Sequence, residues 1–218
     1  LLEAGIPSDK FLPVSYGWDP VRINGTRRAL EPIDGLTLIF VGLACVRKGV
    51  HLLLRAWERA KVAGRLVLVG DIADDIAAGC ADQLNRADVV RLPYHDDVAA
   101  VYRSADAFAF PTLEEGSPLV SYEAMASGLP SIISPMGAGE VIRDGHEGIV
   151  VDPYHEDGWV DAIQRLARED ELRESMSHSA RERAGHYVWS SVGRRRCKLL
   201  AERLRFAAPA LANRLVVN

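Results

Sequence analysis

Runs of apolar residues alternate along the chain with segments whose apolar positions recur at helical spacing. The runs Leu36–Gly42 and Leu66–Gly70 are almost entirely apolar and end in glycine, a pattern typical of strands that are buried on both faces of a sheet. A helix is predicted between these two runs, because apolar side chains recur there three and four positions apart. These side chains are Val50, Leu53, Leu54 and Trp57.

The alternation continues along the chain and predicts about six strands. The further strands are Val89–Leu92, Ala107–Phe110, Ser131–Ser134 and Gly148–Val151. The helical segments are predicted at Ile72–Asn85, Asp97–Arg103, about Pro118–Ala126, Gly139–Arg143 (one turn), around Val160, Ile163, Leu166 and Ala167, and from there to about Ala207. This order predicts an α/β fold: a doubly wound, Rossmann-like parallel sheet, three-layer α/β/α, with C-terminal helices.

The ends of the chain differ from this middle part. Residues 1–35 contain a predicted helix end at Leu1–Gly5, a short strand at Lys10–Tyr16 and a linker with several prolines and glycines. Residues 36–184 hold the sheet, and residues 185–218 are predicted to form a C-terminal helix. Because the chain begins without methionine or a signal peptide, we expect a fragment cut from a longer protein near a domain boundary.

Composition narrows the classes of protein to consider. The chain has 218 residues, 48% of them hydrophobic and 26% charged, with a net charge of -4. These values are ordinary for a globular protein and give no general attraction to nucleic acid. No apolar run reaches the roughly 18 residues of a membrane span. Three scattered cysteines and six histidines without metal-ligand spacing predict no disulfide framework and no metal site, and fit a reducing cytoplasm.

The segment Phe110–Gly128, FPTLEEGSPLVSYEAMASG, is the most informative of the chain. It follows a predicted strand, and ligands of such sheets bind at the carboxyl ends of the strands. Ser117 is a good N-cap and Pro118 a good first helical residue. The first N–H groups of the helix, at Leu119 and Val120, would then be available to an anion such as phosphate.

Two glutamates flank this turn. Glu115 lies in the loop, and Glu123 shares a helix face with Gly116 and Leu119, so it would project toward the same crevice one turn deeper. A carboxylate repels phosphate, so its expected task is to accept hydrogen bonds from hydroxyls, each worth roughly 1.5–3 kcal/mol. In the alternative interpretation, Ser117 is a plain cap and both glutamates are solvated surface. The residues alone leave both interpretations open.

Basic residues follow the first strand. Gly42 permits close backbone approach, and Arg47 and Lys48 place positive charge at the same edge of the sheet, enough to neutralise a diphosphate leaving group. A solvated helix start is the alternative. Positive charge in a first helical turn opposes the helix dipole, which favours a functional interpretation.

Residues that follow two further strands are weaker candidates for ligand binding. Tyr94 and His95 follow the third strand and would border a base or a sugar, with an ordinary polar loop as the alternative. Gly137 lets the main chain turn at the crevice after the fifth strand. A dinucleotide fingerprint is weak there, because its third glycine position holds Ile142.

The segment Arg181–Arg205 is strongly basic, with eight Arg or Lys and two acidic residues. Apolar residues are interleaved with these charges, so the segment could touch an anionic membrane surface. A terminal helix that packs by its apolar side and exposes a solvated basic face is the alternative.

Four segments together resemble the donor-binding, C-terminal domain of retaining glycosyltransferases of the GT-B fold, the group 1 or family 4 set. They are LLEAGIPSDKFLPVSYGWD, FVGLACVRKGVHLLLRAW, FPTLEEGSPLVSYEAMASGLPSIIS and GAGEVIRDGHEGIVVDP. The resemblance covers nearly the whole chain, with the segments in the family's order. It implies that residues 36–184 bind a nucleotide-sugar donor. It also implies that residues 185–218 pack back toward a missing amino-terminal domain.

The resemblance also implies roles for the candidate residues, with Glu115, Lys48 and Arg47 as the catalytic ones. Glu123 would hold the ribose hydroxyls of the donor and Glu115 the hydroxyls of its sugar. Lys48 would neutralise the leaving diphosphate. Backbone N–H groups would contact that diphosphate, and a loop would flank the base. These further contacts are assigned to Ser117, Leu119 and Val120 and to the loop Leu92–Asp96.

The reaction implied by the resemblance is transfer of a sugar from a nucleoside-diphosphate sugar to an acceptor, with retained configuration and without metal or cofactor. The acceptor would bind to the missing domain, so the fragment alone is expected to be inactive. Leu43 and Pro118 depart from the family pattern, which usually has arginine and glycine there. Arg47 is the candidate to replace the missing arginine. A sugar-nucleotide epimerase of similar fold and a non-catalytic binding module are the alternatives.

Overall fold

Six parallel strands form one sheet in the computed structural model, which describes residues 5, 7, 11–12 and 14–207. The strands are β1 (Leu36–Val41), β2 (Gly64–Val69), β3 (Val89–Leu92), β4 (Ala107–Phe110), β5 (Ser131–Ile133) and β6 (Gly148–Val150). They lie in the order β3-β2-β1-β4-β5-β6, and every neighbouring pair is parallel. The predicted parallel sheet is therefore confirmed.

Helices connect the strands and cover the sheet. In the described part of the chain they are α1 (Pro20–Ile23), α2 (Val50–Ala60), α3 (Asp74–Gly79), α4 (Ala81–Leu84), α5 (Val98–Tyr102), α6 (Leu119–Ala126), α7 (Pro135–Ala138), α8 (Glu156–Arg168), α9 (Asp170–Ala184) and α10 (Trp189–Ala207), with 3₁₀ turns at Val46–Lys48 and Gly185–Tyr187. None of these helices is both long enough and apolar enough to cross a bilayer.

The sheet is the core of the molecule because its central strands are apolar on both faces. Every residue of β1 and β4 is buried. On one face α2 meets α8, where Gln164 Nε2 donates to the carbonyl of Ala60 at 3.0 Å. On the other face α6 meets α9, where Ser177 Oγ donates to the carbonyl of Gly128 at 2.7 Å. The three-layer arrangement agrees with the prediction.

Two helical segments differ from the prediction for local reasons. The predicted helix Ile72–Asn85 is divided into α3 and α4, because Cys80 leaves the helical region with φ -127° and ψ 28°. The helical turn predicted at Gly139–Arg143 is wrong: the helix here is α7, which ends at Ala138 because Gly139 leaves the helical region with φ 50° and ψ -132°. There the side chain of Ser134 accepts a hydrogen bond from the N–H of Gly137 and caps the helix.

The amino-terminal segment is also less regular than predicted. Residues 11–12 and 14–17 form no strand, and Trp18 instead makes a single parallel bridge with Val188. Helix α1 lies inside the predicted linker because Asp19 caps it by accepting from the N–H of Val21. The helix end predicted at residues 1–4, the start of the predicted strand at Lys10 and residues 208–218 lie outside the described residues. The division of the chain at residues 35 and 184 stays a prediction.

The strand order reverses between β1 and β4, which are neighbours in the sheet although β2 and β3 separate them in sequence. At such a switch point the two following connections run to opposite faces of the sheet and leave a crevice outside the carboxyl ends of the strands. The loops at this crevice are residues 42–49 and 111–118. They contain half of the residues that the sequence predicted to bind a ligand, among them Lys48 and Glu115.

Candidate functional site

The loops that follow β1 and β4 are in direct contact. The N–H of Leu113 donates to the carbonyl of Arg47 at 2.9 Å. Gly49 has a φ of +70°, and a Cβ built there would lie 2.1 Å from the carbonyl oxygen of Pro111. Only glycine combines this backbone conformation with so close an approach. Gly49 therefore sets the spacing of the two loops, a role that the sequence analysis missed.

The three residues predicted to be catalytic meet at this contact. Lys48 Nζ donates to Glu115 Oε1, and Arg47 Nη1 lies 3.4 Å from the same oxygen. The side chains of Lys48 and Glu115 are only 16% and 12% exposed, whereas that of Arg47 is 51% exposed. The ammonium group of Lys48 also lies 4.9 Å from the centre of the Phe110 ring. The structure thus joins Lys48 and Glu115 in a largely buried ion pair.

Thr112 completes the surroundings of this ion pair. Its hydroxyl donates to the carbonyl of Glu114 at 3.2 Å and lies 3.4 Å from Glu115 Oε1. The side chain of Ser134 donates to the carbonyl of Thr112 at 2.6 Å, which fixes the loop onto the end of β5. Neither contact was predicted. The contact of Ser134 depends on how segments 22 residues apart meet, and the contacts of Thr112 depend on the conformation of its own loop.

Helix α6 begins one residue later than predicted. Pro118 is extended, with φ -71° and ψ 120°, and stands at the N-cap position without a side-chain cap. The predicted capping role of Ser117 is therefore wrong. Its hydroxyl instead shares a hydrogen bond of 2.9 Å with the hydroxyl of Tyr122. The first N–H groups of α6, at Leu119 and Val120, lie in the helical turn that has no carbonyl partners within a helix.

Glu123 lies one turn into α6 and is 14% exposed. The hydroxyl of Tyr102 donates to Glu123 Oε2 at 3.2 Å, and Arg22 Nη1 lies 3.9 Å from Oε1. Burial raises the pKa of Glu123, while the charge of Arg22 and the hydrogen bond from Tyr102 act in the opposite direction. The pKa of Tyr102 is raised well above its usual value by burial and by the neighbouring carboxylate.

Tyr102 and Arg22 were not predicted as partners of Glu123. Tyr102 occupies an ordinary apolar position of α5, and Arg22 lies in α1, within the predicted linker. A single sequence contains no signal for either contact. Asp106, in contrast, has a purely structural role, since it accepts a hydrogen bond of 2.7 Å from the N–H of Thr37 at the start of the sheet.

A cavity of about 600 Å³ lies beside the start of α6. Gly116, Ser117 and Pro118 line one side of it. The opposite side contains arginines that donate to main-chain carbonyls. These contacts are Arg183 Nε to Val141, Arg195 Nη1 to His186 and Arg196 Nη2 to Ser15. Lys48, Glu115 and Glu123 do not line the cavity, so it lies to one side of the charged groups at the switch point.

The glycines predicted to approach a ligand have structural contacts of their own. Gly137 lies in α7, where a Cβ would come within 2.8 Å of the Phe110 ring. Its carbonyl accepts a hydrogen bond of 2.9 Å from the buried hydroxyl of Ser121 on α6. Gly42 has a φ of +134° and donates its N–H to the carbonyl of Val69 at 2.9 Å. Both glycines lie at the crevice, and the small size of Gly137 lets α7 pack closely against Phe110.

Tyr94 and His95 follow β3, which is separated from β1 by β2. The side chain of Tyr94 is 70% exposed, and His95 Nδ1 is buried without a hydrogen-bond partner among the described residues. Their contact with a base or a sugar stays a prediction. Within the same described residues, no three His, Cys, Asp or Glu side chains group in an arrangement that could hold a metal ion.

The sequence model of a known family, described as "Glycosyl transferases group 1", matches residues 35–169. The chain therefore belongs to this glycosyltransferase family, as the sequence predicted. It is 28% identical over 224 residues to a D-inositol 3-phosphate glycosyltransferase of Corynebacterium kroppenstedtii, a match that covers 94% of this chain and 49% of that protein. With the protein of the same description from Actinosynnema mirum it is 36% identical over 173 residues, 72% of this chain and 42% of that protein. The chain spans about half the length of these relatives.

Solved structures confirm the predicted fold class, one half of a GT-B fold. The Anabaena protein Alr3699/HepE, crystallised with UDP, superposes with a TM-score of 0.81 at 16% identity, over 92% of this chain and 60% of that one. The sucrose-phosphate synthase of Thermosynechococcus elongatus superposes with a TM-score of 0.74 at 24% identity, over 88% and 52% of the two chains.

Proposed function

We propose that the chain is the donor-binding domain of a glycosyltransferase that transfers a sugar from a nucleoside-diphosphate sugar to an acceptor. The observation that carries the proposal is the largely buried Lys48–Glu115 ion pair at the switch point between β1 and β4, in the loop that leads into α6. Membership of the group 1 family supports sugar transfer. The UDP found in the structural relative Alr3699/HepE supports a nucleoside diphosphate as the leaving group.

A diphosphate would be bound by two kinds of positive charge. The first N–H groups of α6 carry the partial positive charge of a helix start and point out of the helix. Lys48 adds a full charge at the neighbouring loop. Because Lys48 is paired with Glu115, a diphosphate bound beside Lys48 would take over part of this interaction. Glu115 would then be released to accept hydrogen bonds from hydroxyls of the transferred sugar.

Glu123 would bind the ribose. Its carboxylate is fixed between Tyr102 and Arg22, so little conformational entropy is lost when a hydroxyl pair donates to it. Burial strengthens such hydrogen bonds because water competes less for the carboxylate. The same burial raises the pKa of Glu123, which makes its binding role sensitive to pH.

The finer features of the reaction form part of the proposal. Retention of configuration and catalysis without a metal or cofactor follow from the family resemblance in the sequence. The acceptor would bind to a domain that precedes this half, so the 218-residue chain should bind the donor but transfer sugar negligibly. A location in the cytoplasm, with contact between the basic helix α10 and the inner face of the membrane, is also predicted.

Isothermal titration calorimetry of the chain with UDP, GDP, ADP and their sugar conjugates tests the proposal. We expect weak binding of one site per chain for at least one of these nucleotides. Glu123→Ala should weaken nucleotide binding more than Glu115→Ala, because Glu123 contacts the nucleotide part and Glu115 the sugar. Absence of heat with every nucleotide, in a sample shown to be folded by circular dichroism, would reject the proposal. Equal losses in the two variants would reject the assigned roles.

A further inference from the structure

Tyr122 is a buried tyrosine of α6 whose hydroxyl joins two loops. Its side chain is among the largest that are fully buried, and its ring packs edge-on against Tyr187 with 5.4 Å between ring centres. The Tyr122 hydroxyl oxygen accepts a hydrogen bond of 3.2 Å from the N–H of Tyr16. It also shares a hydrogen bond of 2.9 Å with Ser117 Oγ. Both partners lie outside helices and strands, so this one oxygen links the start of the described chain to the turn before α6.

The segment around Tyr16 is itself fixed to the C-terminal part of the chain. The N–H of Trp18 donates to the carbonyl of Tyr187 at 2.9 Å, and the N–H of Trp189 donates to the carbonyl of Trp18 at 3.1 Å. Arg196 lies 5.5 Å from the ring centres of both Tyr16 and Trp189. Residues 14–18 are therefore held against the start of α10.

Among the described residues, the side chain of Ser117 makes one hydrogen bond, the one to Tyr122. It does not cap α6, because Pro118 stands at the N-cap position. The hydrogen bond to Tyr122 is thus the contact that orients its hydroxyl. Since the Tyr122 oxygen accepts from Tyr16, its own proton is available for Ser117 Oγ. Either hydroxyl can donate in this pair. When Tyr122 is the donor, Ser117 retains its hydroxyl proton and can donate it to an anion at the start of the helix.

We propose that Tyr122 is a positioning residue for the anion site at the start of α6. Through Ser117 it would hold the turn Gly116–Pro118 in the conformation that presents the N–H groups of Leu119 and Val120. Through Tyr16 it would make this conformation depend on residues 14–18. The inference rests on the proposed function for the identity of the ligand, a nucleoside diphosphate, but the coupling between Tyr122 and Ser117 does not depend on that ligand.

A double-mutant cycle tests the proposal. Tyr122→Phe, Ser117→Ala and the double variant are titrated with the nucleoside diphosphate that binds the unmodified chain most tightly. Each single variant should bind about fivefold to tenfold more weakly, the effect expected from the loss of one hydrogen bond. The double variant should bind no more weakly than the worse single variant, because the two hydroxyls act as one unit. Ser117→Thr retains a hydroxyl and should restore binding.

A control and a second measurement distinguish positioning from general stability. Tyr187→Phe removes the hydroxyl of the ring that packs on Tyr122 and should leave nucleotide affinity unchanged. In ¹H–¹⁵N NMR spectra without ligand, Tyr122→Phe and Ser117→Ala should shift the amide resonances of Leu119 and Val120 in the same direction.

Three results would overturn the proposal. Tyr122→Phe could bind nucleotide as tightly as the unmodified chain, or the losses of affinity in the double variant could be additive. The third is that the amide resonances of Leu119 and Val120 stay unchanged in Tyr122→Phe. If the unmodified chain binds no nucleotide, the proposed function fails. The NMR spectra then decide separately whether Tyr122 positions the turn. The proposed function survives the opposite case, in which nucleotide binds and Tyr122→Phe has no effect.

Discussion

At the scale of single residues, the charged side chains of the candidate site differ in the partners that neutralise them. Lys48 and Glu115 neutralise each other in a largely buried contact, whereas Glu123 has a tyrosine hydroxyl and a more distant arginine as partners. The sequence predicted all three residues, because each follows a buried strand at a distance that brings it to the crevice. It did not predict the ion pair or the partners of Glu123, since these depend on contacts between loops and helices far apart in sequence.

Removal of the positive charge of Lys48 should weaken nucleotide binding. Lys48→Met retains most of the side-chain volume but loses the charge, so nucleoside-diphosphate affinity should fall by about tenfold or more, as expected for a charge-assisted hydrogen bond. Glu115→Gln should leave this affinity unchanged or raise it, because the carboxylate that competes for Lys48 is gone. Titration calorimetry measures both.

Arg59→Met is the matched control for Lys48→Met. Arg59 lies at the far end of α2 and pairs with Glu156 and Asp157 on the surface, so its loss should leave nucleotide binding unchanged. Unmodified nucleotide binding by Lys48→Met would contradict the assigned role of Lys48.

The raised pKa of Glu123 predicts two opposite effects of pH. A folded-state pKa above the usual value near 4.5 means that the folded chain binds the proton more tightly than the unfolded chain. Protonated Glu123 therefore contributes to the free energy of unfolding, fully at acidic pH. This contribution is lost as pH rises through the raised pKa. Hydroxyls that donate to the carboxylate favour its ionised form, so nucleotide binding should weaken as pH falls through the same range.

Glu123→Gln tests both effects. At pH 7 it should raise the thermal unfolding midpoint by a few degrees, about the shift that 1 kcal/mol produces in a chain of this size. This gain should shrink as pH falls through the raised pKa, because the carboxyl group of the unmodified chain then takes up its proton. The variant should also bind nucleotide more weakly and without the pH dependence. A pH dependence that persists in Glu123→Gln would assign the titration to another group.

At the scale of elements, the sheet was predictable and the helix ends were not. Strands β1 and β4 are apolar at nearly every position, which is the pattern of a central parallel strand. The starts and ends of helices depend on side-chain caps and backbone angles. Pro118 is extended rather than helical, and Cys80 interrupts a helix that has continuous helical spacing in the sequence.

Gly49 is the residue on which the contact between the two site loops depends most directly. Gly49→Ala should destabilise the chain by more than about 1 kcal/mol and weaken nucleotide binding, because its positive φ and the carbonyl of Pro111 both exclude a Cβ. Thermal unfolding and calorimetry measure the two effects. Gly193→Ala, in α10, is the matched control: a Cβ there meets no atom within 4 Å, so stability should stay the same or rise. Similar behaviour of the two variants would contradict this account of the loop contact.

At the scale of the whole molecule, the chain is one half of a GT-B fold in a group 1 glycosyltransferase family. It spans about half the length of its relatives. The sheet places Lys48, Glu115 and the start of α6 at one switch point, while the cavity of about 600 Å³ extends from this turn toward α10. The segment of residues 14–18 and the start of α10 are fixed to each other. The Tyr122 hydroxyl joins both to the proposed anion site, so the two ends of the domain meet where the donor would bind.

Mapping of nucleotide binding by ¹H–¹⁵N NMR tests the central claim most directly, and a chain of 23.9 kDa is within reach of this method. Titration with the best-binding nucleoside diphosphate should shift the amide resonances of residues 42–49 and 116–120 first and most strongly. The resonances of α4 and of the amino ends of the strands should stay in place. Binding that shifts a different set of resonances, or no shift with any of UDP, GDP and ADP, would contradict a donor site at the switch point between β1 and β4.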